Sequence, residues 1–111
     1  MALTRDSEWI RLLREERFDE FNKKAATTPP NLENADLSRT EIRRANLTRA
    51  NLRGAYLRDA DLRGLDLSGA DMEGASIHNA RVAGTLFPKN IPTAEIDLSM
   101  RLGTRMRAVG P

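Results

Sequence analysis

Residues 45–74 read ANLTR ANLRG AYLRD ADLRG LDLSG ADMEG, a run of pentads with a large apolar residue in every third place. Followed outward in both directions, that place is taken by Leu32, Leu37, Ile42, Leu47, Leu52, Leu57, Leu62, Leu67, Met72, Ile77, Val82 and Phe87 without a break in register. Two residues before eight of them stands alanine: Ala35, Ala45, Ala50, Ala55, Ala60, Ala70, Ala75 and Ala80. The unit is small, polar, large-apolar, polar, polar.

Neither regular element accommodates this unit. Five residues advance an α-helix by about 500°, which scatters successive large side chains around the axis. In a flat strand an odd repeat sends successive leucines to opposite faces. The chain therefore has to bend once per pentad, so that each alanine and each central apolar residue turns inward. Gly54, Gly64, Gly69, Gly74 and Gly84 stand in the last place of their units, where a bend needs permissive backbone. The periodicity asks for a stacked repeat architecture.

On these residues the stretch 30–89 resembles the pentapeptide-repeat family, whose A(D/N)LXX consensus stands here as ADLSR, ANLTR, ANLRG, ADLRG and ADMEG. The resemblance implies a mainly β fold, a right-handed quadrilateral β-helix or solenoid with four pentads per coil and about three coils. Pro30, Thr40, Leu65 and Thr85 depart from alanine, and Leu65, inside the run, is expected to bulge its side. Three segments follow: an N-terminal helical cap (1–29), the repeats (30–89), and a C-terminal cap and tail (90–111).

Both ends of such a stack expose backbone groups and core, so each needs a cover. Ser7 reads as the N-cap of a helix over residues 7–26 carrying Trp9, Ile10, Leu13, Phe18 and Phe21, and Pro29 and Pro30 stop it. The stretch LLREERFDEFNKK is also similar to a leader segment of some pentapeptide-repeat proteins. At the other end TAEIDLSMRL reads as a short helix opened by Thr93 and closed before Gly103, although its alternation of Ala94, Ile96, Leu98, Met100 and Leu102 suits a strand equally. Whether the tail after Gly103 is ordered is left open.

The 111 residues carry 18 basic and 16 acidic side chains, so no overall field directs the chain to nucleic acid or an anionic membrane. The absence of cysteine removes disulfides, thiolate metal sites and cysteine nucleophiles. MALTRDSEWI lacks the apolar core of a signal peptide, and no stretch approaches a membrane span; a cytoplasmic protein is expected.

Catalytic chemistry is not expected either. His78 is the one histidine and sits in a slot expected to face solvent. Asp36, Asp61, Asp66 and Asp71 recur in one repeat position with Asn31, Asn46 and Asn51, which suits turn-forming hydrogen bonds better than a paired acid and base. No phosphate loop is present, and neither a cofactor nor a metal site is expected.

The surface carries the functional expectation. Residues twenty apart should stack, which puts Glu33, Arg53 and Glu73 in a neutral ladder and Arg43 above Arg63 with like charge. Arg39, Arg44, Arg49 and Arg58 lie at or near the adjoining corners, and Tyr56 is expected to be exposed beside Arg58. Arg39, Arg43, Arg44, Tyr56, Arg58 and Arg63 are the candidate partner-binding residues of a non-catalytic protein-interaction or scaffold module. The thin stack also leaves room for a homodimer through its end caps. Some pentapeptide-repeat proteins look like duplex DNA and bind topoisomerases such as gyrase, so a DNA-mimic modulator is the alternative. Mimicry needs an acidic rod, whereas residues 30–89 hold nine basic and eight acidic residues. A weak nucleic-acid binder through the arginine-rich face is the other alternative, favoured by the arginine cluster but lacking interleaved aromatics.

Overall fold

The computed structural model describes residue 3 and residues 7–110; residues 1, 2, 4–6 and 111, assigned above to the N-terminal cap and C-terminal tail, lie outside them. The regular elements are three helices, α1 (Glu8–Arg14), α2 (Phe18–Ala25) and α3 (Thr93–Leu102). The expectation of a mainly β, quadrilateral β-helix is corrected here. Among the described residues there is no β-strand and no sheet, and the repeats meet only through isolated parallel bridges.

The reason lies in the pentad. Ten of the twelve large apolar residues begin a tight turn closed by a backbone bond: Ala55 N–H donates to Leu52 O (3.0 Å), Ala60 N–H to Leu57 O (3.1 Å), and so on, while at Leu37 the Thr40 hydroxyl donates instead (2.7 Å). Only about two residues are left extended between one turn and the next, too few for a ladder. The bridges pair residues twenty apart, such as Asn31 with Asn51 and Asn51 with Asp71. The chain thus returns to one lateral position every four pentads, and layers can be counted as 31–50, 51–70 and 71–90. Leu52 N–H donates to Asp71 O in the layer above (2.8 Å), and Asn51 N–H to Pro30 O below (2.8 Å).

This winding puts the apolar residues on the inside. Ten of the twelve large ones, Leu32 through Ile77, are at most 1% exposed, and only Val82 and Phe87 in the last layer are partly buried. Each buried leucine contributes roughly 1.5–3 kcal/mol by leaving water. Gly54, Gly64, Gly74 and Gly84 take positive φ at their turns, where glycine avoids a clash of Cβ with backbone; Gly69 does not.

One side departs from the pattern, and it is the side of Leu65. Its side chain is buried (5% exposed) in a slot that alanine fills in eight of the twelve units, and no bridge joins Asn46 to Asp66. At this end of the side the two layers are unbridged, and Asn46 N–H bonds Asn22 of α2 instead. At the other end they are close: a Cβ on Gly69 would lie 2.5 Å from Thr48 O.

The N-terminal segment forms two helices instead of one. Ser7 does cap α1, accepting from Ile10 N–H (3.1 Å), but the chain breaks at Glu16, whose φ is +55°, and α2 ends well before Pro29. A straight helix would rotate Phe18 about 140° away from Leu13; the break lets both apolar sets face one core. Trp9 meets Phe21 edge to face at 5.1 Å. Arg14 Nη2 donates to Asp36 O (2.7 Å), and Asn22 accepts from Asn46 N–H through Oδ1 (2.7 Å) and donates to Arg44 O through Nδ2 (2.9 Å), covering first-layer backbone groups.

At the far end α3 adopts the helical alternative, with Pro92 as N-cap, Thr93 as its first residue, and Gly103 at φ +75° as C-cap. The tail is held against the third layer. Gly74 N–H donates to Met106 O (2.7 Å) and Met106 N–H to Ala75 O (2.8 Å), and the Met106 side chain is fully buried. Buried Ser99 accepts from Ile77 N–H (2.9 Å).

Candidate interaction surface

The acidic and amide side chains of the repeat are engaged locally. Asn31, Asp36, Asn51, Asp61, Asp66 and Asp71 each accept the N–H two residues ahead, as in Asp66 Oδ1 with Ser68 N–H at 3.0 Å. These bonds set up the turn that follows each bridge position. Ser68 Oγ adds a second bond to Asp66 (2.6 Å), and this bonding lowers the Asp66 pKa. Among the described residues no group of three His, Asp or Glu side chains is placed to hold a metal ion.

The arginines gather around two aspartates at the corner formed by residues 59–61. Asp61 receives Arg63 through Nε (2.9 Å) and Nη2 (2.8 Å), with Arg43 Nε 3.5 Å away. Arg43 also reaches Glu41 at 3.1 Å. The side-chain bond from Arg63, with its backbone N–H and the charge of Arg43, pushes the Asp61 pKa down to about 2. Asp59 accepts from Asn79 Nδ2 (2.6 Å), the main cause of its lowered pKa, and lies 3.5 Å from Arg58 and 3.9 Å from Arg39. Arg43 and Arg63 are therefore not a bare like-charge stack: Asp61, 12% exposed at its side chain, lies between them. Their own side chains stay 46% and 42% exposed, and that of Arg39 73%.

Other sequence expectations shift. Tyr56 is half-buried, and its hydroxyl near Arg58 raises the Arg58 pKa. Arg44 stands apart from the corner cluster, its guanidinium 5.4 Å from the Phe18 ring centroid in α2. Arg49 is exposed without a carboxylate partner among the described residues. The ladder of Glu33, Arg53 and Glu73 is replaced by other pairings. Arg53 bonds Asp71 (3.1 Å), Glu33 accepts from Asn51 Nδ2 (3.3 Å), and Glu73 accepts from Ala108 N–H. Alongside them Arg105 Nη1 donates to Gly54 O (3.1 Å) and Gly74 O (2.8 Å), lining a groove over the glycine turns. His78 is half-buried against Gly103, and its Nδ1 is buried without a hydrogen-bond partner. These late partners come from a tail that lies outside the repeat, so no periodic signal announced them.

Layers built on a pentad, with inward alanine and leucine slots and polar turns, define a repeat protein. A family model described as pentapeptide repeats matches residues 31–54 and 50–87 with eight copies. The chain belongs to the pentapeptide-repeat family. No curated protein and no solved structure matches it. No helix among the described residues is long and apolar enough to cross a membrane.

Proposed function

We propose that this chain is a non-catalytic protein-interaction module of the cytoplasm, with residues 30–89 as the repeat body and 1–29 and 90–111 as its caps. Its binding surface is the arginine corner of Arg39, Arg43, Arg58 and Arg63 with Tyr56; Arg44, turned to Phe18, is left out of it. One observation carries this reading: the guanidinium groups of Arg43 and Arg63 are anchored at Asp61 while both side chains keep more than two fifths of their surface in solvent. An arginine already oriented by a carboxylate loses less freedom on meeting a partner, and its remaining donors are free for a planar carboxylate. The partner is therefore an acidic protein surface. Membership of a repeat family and the engagement of the repeat acids in turns support a non-catalytic role.

The test is quantitative capture from a lysate of the source cell with wild type and an Arg43→Glu, Arg63→Glu variant of native circular dichroism. A protein retained by wild type and lost from the variant is the expected result. Identical sets of retained proteins overturn the arginine corner as the interface.

A further inference from the structure

The third layer ends the stack, and α3 with the tail covers only part of it. Over residues 74–79 the upward-facing groups are engaged: Gly74 N–H and Ala75 O with Met106, Ile77 N–H with Ser99 Oγ (2.9 Å), and Asn79 N–H with Met100 O (3.0 Å). The next side differs. One layer down, Leu62 N–H donates to Arg81 O (2.8 Å), Gly64 N–H to Ala83 O (2.9 Å), Ala60 O accepts from Arg81 N–H (2.9 Å), and Leu65 O accepts from Leu86 N–H (2.9 Å). The equivalent groups of the last layer are Val82 N–H, Gly84 N–H, Ala80 O and Thr85 O. Among the described residues none of these four makes a hydrogen bond.

That edge has the side chains of a docking surface. Val82 and Phe87 are the two central apolar residues of the repeat left partly exposed, and Leu86 beside them is 59% exposed. Arg81 and Lys89 flank them, both exposed and both without a carboxylate partner among the described residues. The adjacent side displays what such an edge accepts: Met106 of the tail pairs its N–H and C=O with the layer while its side chain is fully buried.

We propose that the edge formed by residues 80–87 is a second binding site, independent of the arginine corner, that takes an extended peptide segment of a partner protein carrying an apolar residue flanked by acidic ones. The segment continues the stack as its next side. Its backbone pairs with Val82 N–H, Gly84 N–H, Ala80 O and Thr85 O, as Arg81, Ala83 and Leu86 pair with the layer beneath. Its apolar side chain covers Val82 and Phe87, and its carboxylates meet Arg81 and Lys89. An unpaired backbone edge is a template for an added strand whatever its sequence, so side chains set the choice of partner. The two free cations favour an acidic segment over a basic one.

The probe is a fluorescein-labelled peptide, Glu-Asp-Ala-Asp-Leu-Glu-Gly-Ala-Asp-Leu-Glu, followed by anisotropy and by amide shifts of 15N-labelled full-length protein. Saturable binding is expected, with the largest shifts at the Val82 and Gly84 amides and slowed exchange of both. Arg81→Glu with Lys89→Glu should weaken it about tenfold, from two exposed ion pairs of about 0.7 kcal/mol each. Arg11→Glu with Lys23→Glu, two exposed cations of α1 and α2, should leave it unchanged, which separates this site from general charge attraction. No saturation at millimolar peptide, shifts elsewhere, or equal binding of a peptide with lysine at every acidic position overturns the proposal. So does concentration-dependent protection of the Val82 and Gly84 amides without peptide, because a second copy then covers the edge.

Discussion

Replacing Asp61 by asparagine should cost this protein about 1–1.5 kcal/mol near neutral pH, and the cost should vanish in acid. The carboxylate ties together Arg63 and Arg43 from two layers and sits 12% exposed, with a pKa pushed from its ordinary 3.8 down to about 2. At about 1.36 kcal/mol per pH unit that drop sets a ceiling of about 2.4 kcal/mol. Solvent screening around arginines exposed by 42% and 46% lowers it to about 1–1.5 kcal/mol. A carboxyl group whose pKa is lower in the folded chain stabilises it fully above the unfolded value. That stabilisation is lost as pH falls from about 4 through about 2. Urea denaturation of wild type and Asp61→Asn at several pH values between 6 and 2 isolates the effect, because every other carboxylate titrates in both proteins. The gap should close toward pH 2. A gap that stays constant over that range refutes the reasoning, since the stabilisation would then not depend on the charge.

Three further outcomes follow from the layers. Ser99→Ala strips the acceptor from the buried Ile77 N–H and should lower the urea-unfolding free energy by about 1–3 kcal/mol, whereas Ser68→Ala, on an exposed turn, should change little. Gly54→Ala should cost more than Gly64→Ala by thermal melting. Both take positive φ, a strain of about 1–2 kcal/mol for alanine, but a Cβ at Gly54 falls 2.2 Å from Asn34 Oδ1 while Gly64 has open space. Leu65→Ala should cost less than the roughly 2–5 kcal/mol usual for a buried leucine, because the layers can close and pair Asp66 N–H with Ala45 O. Hydrogen exchange at the Asp66 amide should slow in that variant; unchanged exchange would show that Leu65 is not what separates them.

The repeat itself was legible in the residues, and so was most of the core. A five-residue period admits few conformations that bury every third residue, and the buried set from Leu32 to Ile77 with its alanines matches that inward reading. Leu65 stood out as the one large residue in an interior alanine slot, and the missing bridge lies on its side. The mainly β assignment failed because the same turns that point the leucines inward interrupt the extended backbone after about two residues. Apolar spacing reports which side chains face inside, but it is silent on how long the backbone stays extended.

The sequence by itself determined the five-residue register, the inward side chains and the turn role of the repeat acids; the twenty-residue return entered through the family resemblance, and residues 93–102 stayed open between helix and strand. These rest on interactions between near neighbours or on strict periodicity. Tertiary structure alone decided the rest: the break at Glu16, the division of the arginines between Asp59 and Asp61, the departure of Arg44 to Phe18, and the ladder made by Met106. Arg44 with Phe18 and Met106 with Ala75 join residues that no repeat spacing relates, and among the arginines, which do lie at repeat spacings, only side-chain geometry chooses between Asp59 and Asp61.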